Sequence, residues 1–332
     1  MKIVVLVPAY NVEKYLEQCL DSILAQNCPG IEIYCCNDGS KDRTGEILRS
    51  YAQKYATVHA FQHENRGMVA TYNRLLDEVP EDVEAIGFVD ADDYVHPCMY
   101  EALATALKRF DADIAECGIA RVSADSVQPF GVSAPAVNRA AKISDMSIYW
   151  LRRTATGRWI NKNNKLYRSS AIRGIRFRRG LDFEDDFFFN CEVNSVAASK
   201  VVLPGDAYAY RENPASLNGS LDCRRYFNSV SERVRLSHEV FLNSRKVPLR
   251  FECEYRGDLA RDAYRMMIRK NLKKNRNARE RKELFFAASE YFKMLECDYG
   301  FTASGLNWIQ RMIYRGCREK LYWLSRMLSY LA

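Results

Sequence analysis

The sequence predicts an α/β protein with a Rossmann-like, doubly wound and mostly parallel sheet, followed by a helical carboxyl-terminal region. Two observations predict the sheet: short aliphatic runs alternate with helical patterns through residues 1–118, and the connections between them are short. Such alternation places successive strands in parallel with right-handed helical crossovers. The third observation is that, from about residue 223, the chain carries helical patterns only.

Five strands are predicted from short, mostly apolar runs. The first is a continuous run of aliphatic, mostly β-branched residues, which is typical of a strand buried on both faces of a sheet. The first run is followed at once by Pro8 and then by polar residues, so the strand is expected to end there. The five runs cover residues 3–7, 31–36, 58–61, 85–89 and 112–117.

Four helices are predicted between these strands, because apolar residues repeat there every three or four positions. Pro97 suits the first position of the fourth helix, where its missing N–H costs no hydrogen bond. The predicted helices cover residues 15–24, about 42–55, 68–76 and 97–110.

The domain organisation follows from where these patterns stop. Residues 119–143 are rich in Ser, Ala, Pro and Gly and are predicted to be a loop or an extended insertion. Residues 144–222 carry a mixed pattern. We therefore predict one domain over residues 1–222 and a separate helical, basic region over residues 223–332.

Composition excludes several classes of protein. The chain has 332 residues, of which 48% are hydrophobic and 27% charged, values that exclude a disordered or collagen-like chain. The early apolar run is too short to span a bilayer and lacks the form of a signal peptide, so a cytoplasmic protein is expected. The eleven cysteines show no zinc-ligand spacing and are predicted to be reduced and buried.

Polar turns follow three of the predicted strands, at the edge where doubly wound sheets bind ligands. They cover residues 8–11, 37–40 and 90–93. In the turn at residues 90–93, Asp90, Asp92 and Asp93 place three carboxylates within four residues. They repel one another unless a cation compensates them, which suits Mg²⁺ or Mn²⁺. The alternative is a solvated acidic turn before the fourth helix.

A second turn, at residues 37–40, combines Asp38 with Gly39. Gly39 permits a tight turn, and Asp38 is placed to accept hydrogen bonds from a base or a ribose. The alternative is a helix cap formed by Ser40. The sequence contains neither a Gly-x-Gly-x-x-Gly after the first strand nor a P-loop, which argues against a dinucleotide enzyme or a P-loop ATPase.

Four segments together resemble the inverting family 2 glycosyltransferases. They are Val-Pro-Ala-Tyr-Asn at 7–11, Asn-Asp-Gly-Ser at 37–40, Asn-Arg-Gly at 65–67 and Phe-Val-Asp-Ala-Asp-Asp at 88–93. Later segments are similar to that family too, at 164–168, 183–186 and 208–211, so about 220 residues are covered. The resemblance implies the GT-A fold, a nucleotide-sugar site in residues 1–118, and an acceptor and catalytic part in residues 144–222.

The resemblance also implies a role for each matching residue. Asp38 would contact the base of the donor, and Asp90 would bind its ribose or the metal. Asp92 would hold the metal that bridges the donor diphosphate, Mn²⁺ or Mg²⁺, with Asp93 in support. The remaining donor-binding residues implied are Pro8, Tyr10, Asn11, Asn65 and Gly67.

The catalytic pair implied is Glu184 and Asp185. Inversion is a single in-line displacement, so one carboxylate must take the proton of the acceptor hydroxyl. Asp185 is assigned this role, oriented by Glu184, and the adjacent Asp186 is the alternative base. Further candidate site residues are Lys165, Arg211 and His96.

The carboxyl-terminal region is strongly basic. Residues 265–282 carry nine basic side chains against one acidic one, and residues 305–332 predict an amphipathic helix with an arginine-rich face and interleaved aromatics. Such a helix suits an anionic membrane surface, and the alternatives are docking on the protein's own core or a dimer contact. Nucleic-acid binding is not predicted, because no recognised motif accompanies the charge.

Together these features predict a metal-dependent glycosyltransferase on the inner face of the cell membrane. Its expected donor is a nucleotide-sugar, with a UDP-sugar favoured, and its acceptor a glycan or a lipid-linked glycan of capsule, lipopolysaccharide or another surface polysaccharide. One alternative, a sugar-phosphate nucleotidyltransferase, requires a Gly- and Arg-rich loop after the first strand, where this chain has Pro-Ala-Tyr-Asn. The other is a non-catalytic glycan-binding or scaffold protein on the same fold.

Overall fold

The computed structural model describes residues 1–125, 134–144, 161–178 and 185–212, all of which belong to one compact unit. These residues form a mixed α/β fold around a nine-stranded sheet. The strands are β1 (Ile3–Ala9), β2 (Ile31–Asp38), β3 (Val58–His63), β4 (Ala85–Phe88), β5 (Tyr94–Val95), β6 (Ile114–Ser123), β7 (Ala141–Ile143), β8 (Lys165–Arg168) and β9 (Lys200–Glu212).

Helices connect and cover these strands. Among the described residues they are α1 (Leu16–Leu24), α2 (Thr44–Lys54), α3 (Met68–Asp77), α4 (Met99–Phe110), α5 (Ser169–Ile172) and α6 (Asp185–Val196), with a short 3₁₀ turn at Val137–Arg139. The first four begin within a few residues of their predicted starts. In the part of the chain that is described, no helix is long and apolar enough to cross a membrane.

The sheet has the order β3-β2-β1-β4-β8-β6-β9-β5, and β7 pairs with β9. Strands β1 to β4 are mutually parallel where they pair, and β6 is parallel to β9. The short strand β8 lies between β4 and β6 and is antiparallel to both. The predicted fold class, a doubly wound and mostly parallel sheet, is confirmed.

The core lies on both faces of the central strands. Ile3, Val5 and Val7 of β1 face α1, α2 and α4, whereas Val4 and Leu6 face α3 and α6. All five are fully buried, which explains why this strand is a continuous apolar run instead of an alternating one. Burying each such side chain contributes about 1.5–3 kcal/mol.

The segment after residue 118 differs from the prediction. The sequence predicts a loop or an extended insertion over residues 119–143, but β6 continues to Ser123 and β7 occupies Ala141–Ile143. Both strands pair with the long strand β9, which lies much further along the chain and supplies hydrogen bonds that the local sequence does not encode. The predicted helical region over residues 223–332 lies outside the described residues.

Candidate active site

The site lies at the carboxyl edge of the parallel strands. The register pairs Ala9 of β1 with Asn37 of β2, and Asn37 with Gln62 of β3. It also pairs Leu6 with Phe88, so β4 ends at the same edge. The turns after β1, β2 and β4 therefore converge, as the sequence predicts, and the turn after β3 lies at the same edge.

Asp38 holds the turn that follows β3. Its buried carboxylate accepts hydrogen bonds from the backbone N–H of Arg66 at 2.7 Å and of Gly67 at 3.0 Å. The Nδ1 atom of His63 lies 3.3 Å from the same carboxylate. Asp38 and the predicted donor residue Gly67 thus belong to one hydrogen-bonded unit.

Gly39 allows this arrangement. It has φ +69°, and a Cβ at this position would lie 2.6 Å from the backbone nitrogen of Asn65. Any other residue would therefore push away the turn at residues 64–67, which contains the predicted donor residue Asn65. Asn65 itself is exposed at this edge.

The turn after β1 is bound to the turn after β2. The Asn11 N–H donates to Ser40 Oγ at 3.0 Å, and Asn11 Oδ1 accepts from the Lys41 N–H at 2.9 Å. Pro8 is buried at the end of β1, whereas the neighbouring Tyr10 keeps 41% of its surface exposed. An aromatic ring is therefore presented to solvent next to the Asp38 turn.

Asp90 is the most heavily bonded carboxylate of the site. It accepts from the Tyr72 hydroxyl at 2.6 Å and from Asn163 Nδ2 at 2.5 Å, and Lys162 Nζ lies 3.4 Å away. Burial alone would raise the pKa of Asp90, but attraction to Lys162 and these hydrogen bonds outweigh it and hold the pKa below its ordinary value. Asp90 is fixed as an ionised group.

Asp92 has the opposite character. Among the described residues, no other residue forms a hydrogen bond or an ion pair with its carboxylate, and the side chain is partly exposed. Burial, followed by repulsion from Asp90, raises the pKa of Asp92 to about 6. A cation placed here would relieve that repulsion.

Asp93 faces away from Asp92 into the sheet. It is 1% exposed, and it accepts from the Tyr208 hydroxyl at 2.6 Å and from the Arg211 N–H at 2.8 Å. Burial, with repulsion from Asp92 and Asp90, raises its pKa well above the ordinary value. In the structure Asp93 joins the acidic turn to β9, and its predicted role at the metal stays a prediction.

Arg211 stabilises the same turn through hydrogen bonds. Its guanidinium donates to the Asp92 carbonyl at 2.7 Å, to the Ala124 carbonyl at 2.8 Å and to Gln18 Oε1 at 2.6 Å. It also lies over the Tyr15 ring, 4.7 Å from the centroid. The predicted site residue Arg211 therefore acts on the shape of the acidic turn through the main chain.

A divalent metal ion fits this edge if the protein supplies only one or two of its ligands. Asp90 and Asp92 offer the hard carboxylate oxygens that Mg²⁺ and Mn²⁺ prefer. Across the described ranges, no group of three or more His, Cys, Asp or Glu side chains is arranged to hold a metal. The arrangement suits an ion that takes one or two carboxylates and completes its shell with waters and phosphate oxygens.

The catalytic pair is described only in part. Glu184 lies outside the described residues, and Asp185 is the first residue of α6, with its side chain not described. The alternative base, Asp186, accepts a hydrogen bond from Lys162 Nζ at 2.6 Å. Burial raises the pKa of Asp186, and Lys162 opposes that shift.

Two further candidates make their contacts elsewhere. Lys165 is buried in an ion cluster with Glu116, 3.7 Å away, and its ammonium also donates to Asn164 Oδ1 at 2.7 Å. His96 Nδ1 accepts from the Cys98 N–H at 3.1 Å, and burial lowers the pKa of His96. Neither side chain has a described contact with the acidic turn.

Sequence reasoning missed two of the side chains that surround Asp90. Lys162 and Asn163 lie just before the Asn-Lys-Leu-Tyr segment at 164–167, with no spacing pattern that marks them. Tyr72 lies in α3, and its ring stacks on Phe177, 4.7 Å between centroids. Only the proximity of Lys162 and Asn163 to a family-like segment could have drawn attention to them.

Comparison with known proteins agrees with this fold. The family described as Glycosyl transferase family 2 matches residues 4–178, more than half of the chain. The uncharacterized glycosyltransferase EpsJ of Bacillus subtilis is 32% identical over 216 residues, covering 64% of this chain and 62% of that protein. Chondroitin synthase of Pasteurella multocida is 33% identical over 107 residues, covering 32% of this chain and 11% of that protein.

The chain spans less than two thirds of the length of each of these relatives. Among solved structures, S. aureus TarS 1–349 in complex with UDP-GlcNAc is similar with a TM-score of 0.73 and 20% identity, covering 99% of this chain and 91% of that one. At this identity the likeness is one of fold. It agrees with the GT-A fold that the motifs predict.

Proposed function

The chain belongs to glycosyl transferase family 2, and on that basis we propose that it transfers a sugar from a nucleotide-sugar to a hydroxyl of a glycan or lipid-linked acceptor, with inversion. A UDP-sugar is the favoured donor, in line with the UDP-GlcNAc complex of TarS. The likeness to a chondroitin synthase supports polysaccharide synthesis as the setting. The observation that carries the proposal is the convergence of the Asp38 turn, Asp90 and Asp92 at one sheet edge.

The donor would lie along this edge. The exposed ring of Tyr10 offers a stacking surface for the base, beside the turn held by Asp38. Asp90, fixed by Tyr72 and Asn163, is placed to accept from a ribose hydroxyl. Asp92 would hold Mn²⁺ or Mg²⁺, with Asp90 as a second ligand where it does not bind the ribose, and the ion would supply positive charge to the departing diphosphate.

The transfer itself needs one proton acceptor. A carboxylate at the start of α6, Asp185 by its motif, would take the proton of the acceptor hydroxyl. The acceptor oxygen bonds to the anomeric carbon as the bond from that carbon to the diphosphate breaks on the opposite face. No covalent sugar–protein bond forms in a single displacement, so the chain needs no nucleophile of its own.

A thermal-shift panel tests the donor class. The full chain is heated with UDP, GDP, CDP and dTDP sugars, each with and without Mn²⁺. A ligand that binds only the folded state raises the free energy of unfolding by mass action, by about 2.7 kcal/mol when its concentration is a hundred times Kd. The apparent melting temperature rises with it. We expect a Mn²⁺-dependent rise with UDP-sugars.

The same panel can contradict the proposal. If no sugar nucleotide shifts the melting temperature of the folded chain, with or without Mn²⁺, the edge is not a donor site. The non-catalytic scaffold then becomes the better interpretation. A shift with GDP-, CDP- or dTDP-sugars alone would keep the transferase and replace the donor.

We also propose, from sequence alone, that residues 305–332 attach the protein to an anionic membrane surface. These residues lie outside the described ranges, and the support is their arginine-rich, aromatic amphipathic pattern. Deleting residues 305–332 is expected to abolish cosedimentation with phosphatidylglycerol-containing vesicles, and salt is expected to weaken the binding of the full chain. Undiminished cosedimentation of the truncated chain would contradict the assignment.

A further inference from the structure

A single buried ammonium lies between two parts of the site that are far apart in sequence. Lys162 Nζ is 3.4 Å from Oδ1 of Asp90, at the end of β4, and 2.6 Å from Oδ1 of Asp186, in the first turn of α6. Lys162 is only 3% exposed. The ammonium therefore joins the donor-binding edge of the sheet to the helix that carries the candidate base.

The position of this ammonium is narrowly determined. Nζ also lies 4.6 Å from the centroid of the Tyr72 ring, an arrangement in which the ring face attracts a cation. The hydroxyl of the same tyrosine donates to Asp90. Tyr72 thus contacts both members of the Lys162–Asp90 pair, which restricts the rotamers that Lys162 can adopt.

A second contact ties the same segment to α6 through the main chain. The Tyr167 hydroxyl lies 3.3 Å from the Lys162 carbonyl oxygen and 2.9 Å from Asn190 Oδ1, one turn further along the helix. Asn190 Nδ2 in turn donates to the Asp186 carbonyl at 2.8 Å. The start of α6 is therefore held at two points by the segment that carries Lys162.

Electrostatics gives the ammonium a function that packing alone does not. Asp90, Asp92 and Asp186 place three carboxylates around the acidic turn, and like charges at short range repel one another. Lys162 contacts two of them and so compensates the repulsion between the sheet edge and the helix. A neutral side chain of the same length would leave this repulsion in place.

We propose that Lys162 is a positioning residue, which clamps the start of α6 to Asp90 through Asp186 and so sets the distance between bound donor and catalytic carboxylate. The proposal rests on the proposed function, since it presumes a donor at Asp90 and a base at the start of α6. In this arrangement Asp186 is the anchor of the clamp. The base is then the neighbouring Asp185, as its motif implies.

The test is a double-mutant cycle on the full chain, with Lys162→Met, Asp186→Asn and the double variant. Rates of UDP release from UDP-GlcNAc are measured with water as the acceptor, at varied donor concentration. Because Lys162 acts through Asp186, we expect each single variant to lose tenfold or more in kcat with donor KM changed less than about threefold. The kcat of the double variant should then be about equal to that of the less active single variant.

Lys200→Met is the matched control. Lys200 is another buried lysine, paired with Glu116 at 3.0 Å, away from the acidic turn. Losses in Lys162→Met and Asp186→Asn that multiply in the double variant would overturn the clamp. A rise in donor KM with unchanged kcat in Lys162→Met would also overturn it, because Lys162 would then be a donor contact.

Amide hydrogen exchange separates failure of the clamp from failure of the proposed function. Lys162→Met should accelerate exchange in peptides covering residues 185–196, and Lys200→Met should accelerate exchange in the same peptides less. If the wild-type chain releases no UDP from UDP-GlcNAc, either this donor is wrong or the chain is not a transferase, and the exchange comparison still decides whether the clamp exists. Unchanged exchange at residues 185–196 in Lys162→Met overturns the clamp.

Discussion

Replacing Asp92 by asparagine is expected to abolish metal-dependent donor binding and to lower sugar transfer by about 10²–10³-fold, the range measured when one preorganised electrostatic contact to a developing charge is removed. Asp92 has no described side-chain partner, in contrast to Asp90 and Asp93. The amide is nearly the same size as the carboxylate but carries no charge. The variant should therefore fold normally and fail to hold the cation.

The measurement is a calorimetric titration of UDP into each chain, at fixed Mn²⁺ and without it. Asp82→Asn is the control, because Asp82 is an exposed carboxylate paired with Lys2, at the opposite edge of the sheet. The wild type and Asp82→Asn should bind UDP more tightly with Mn²⁺. The metal assignment is wrong if Asp92→Asn keeps the same Mn²⁺-dependent gain.

The part of the site that could be predicted from sequence is the part encoded locally. A strand buried on both faces leaves a continuous apolar run, and the turn after it must be polar, so the positions of Asp38, Asp90 and Asp92 follow from strand ends. Parallel pairing then places these turns at one edge without any knowledge of side-chain contacts. The motif resemblance added chemical roles to residues that periodicity had already located.

The part that could not be predicted depends on contacts between distant segments. Lys162 and Asn163 reach Asp90 across more than 70 residues, and β8 enters the sheet antiparallel between β4 and β6. In the sheet, β4 and β6 are separated by the width of one strand. The local pattern of residues 165–168 does not indicate that these residues fill that space. Strand pairing of this kind is decided by the packing of the whole sheet.

The different environments of Asp92 and Asp93 could not be predicted from the sequence for the same reason. Adjacent residues in a turn point in different directions, and β9 supplies Tyr208 and the Arg211 N–H to only one of the two carboxylates. The acidic triplet therefore contains three different environments. Asp90 is a fixed anion, Asp92 is open, and Asp93 is bonded into the sheet.

Replacing Asp185 by asparagine is expected to lower kcat by about 10²–10⁴-fold, the usual contribution of a general base. Asp185 begins α6, next to the Asp186 that Lys162 binds. An amide cannot take the proton of the acceptor hydroxyl, while the donor edge of the sheet is left intact. Initial rates of UDP release, with UDP affinity measured separately, should show the loss in kcat and an affinity within about threefold of the wild type.

Asp186→Asn is the comparison that decides which carboxylate is the base. Burial raises the pKa of Asp186, a property of general bases, but its Oδ1 is bound by the Lys162 ammonium, which lowers its tendency to take a proton. If Asp186 is an anchor, Asp186→Asn should lower kcat about tenfold, a much smaller loss than that expected for Asp185→Asn. If Asp186→Asn shows the larger loss, the base lies one residue further along α6, and Lys162 contacts the catalytic group directly.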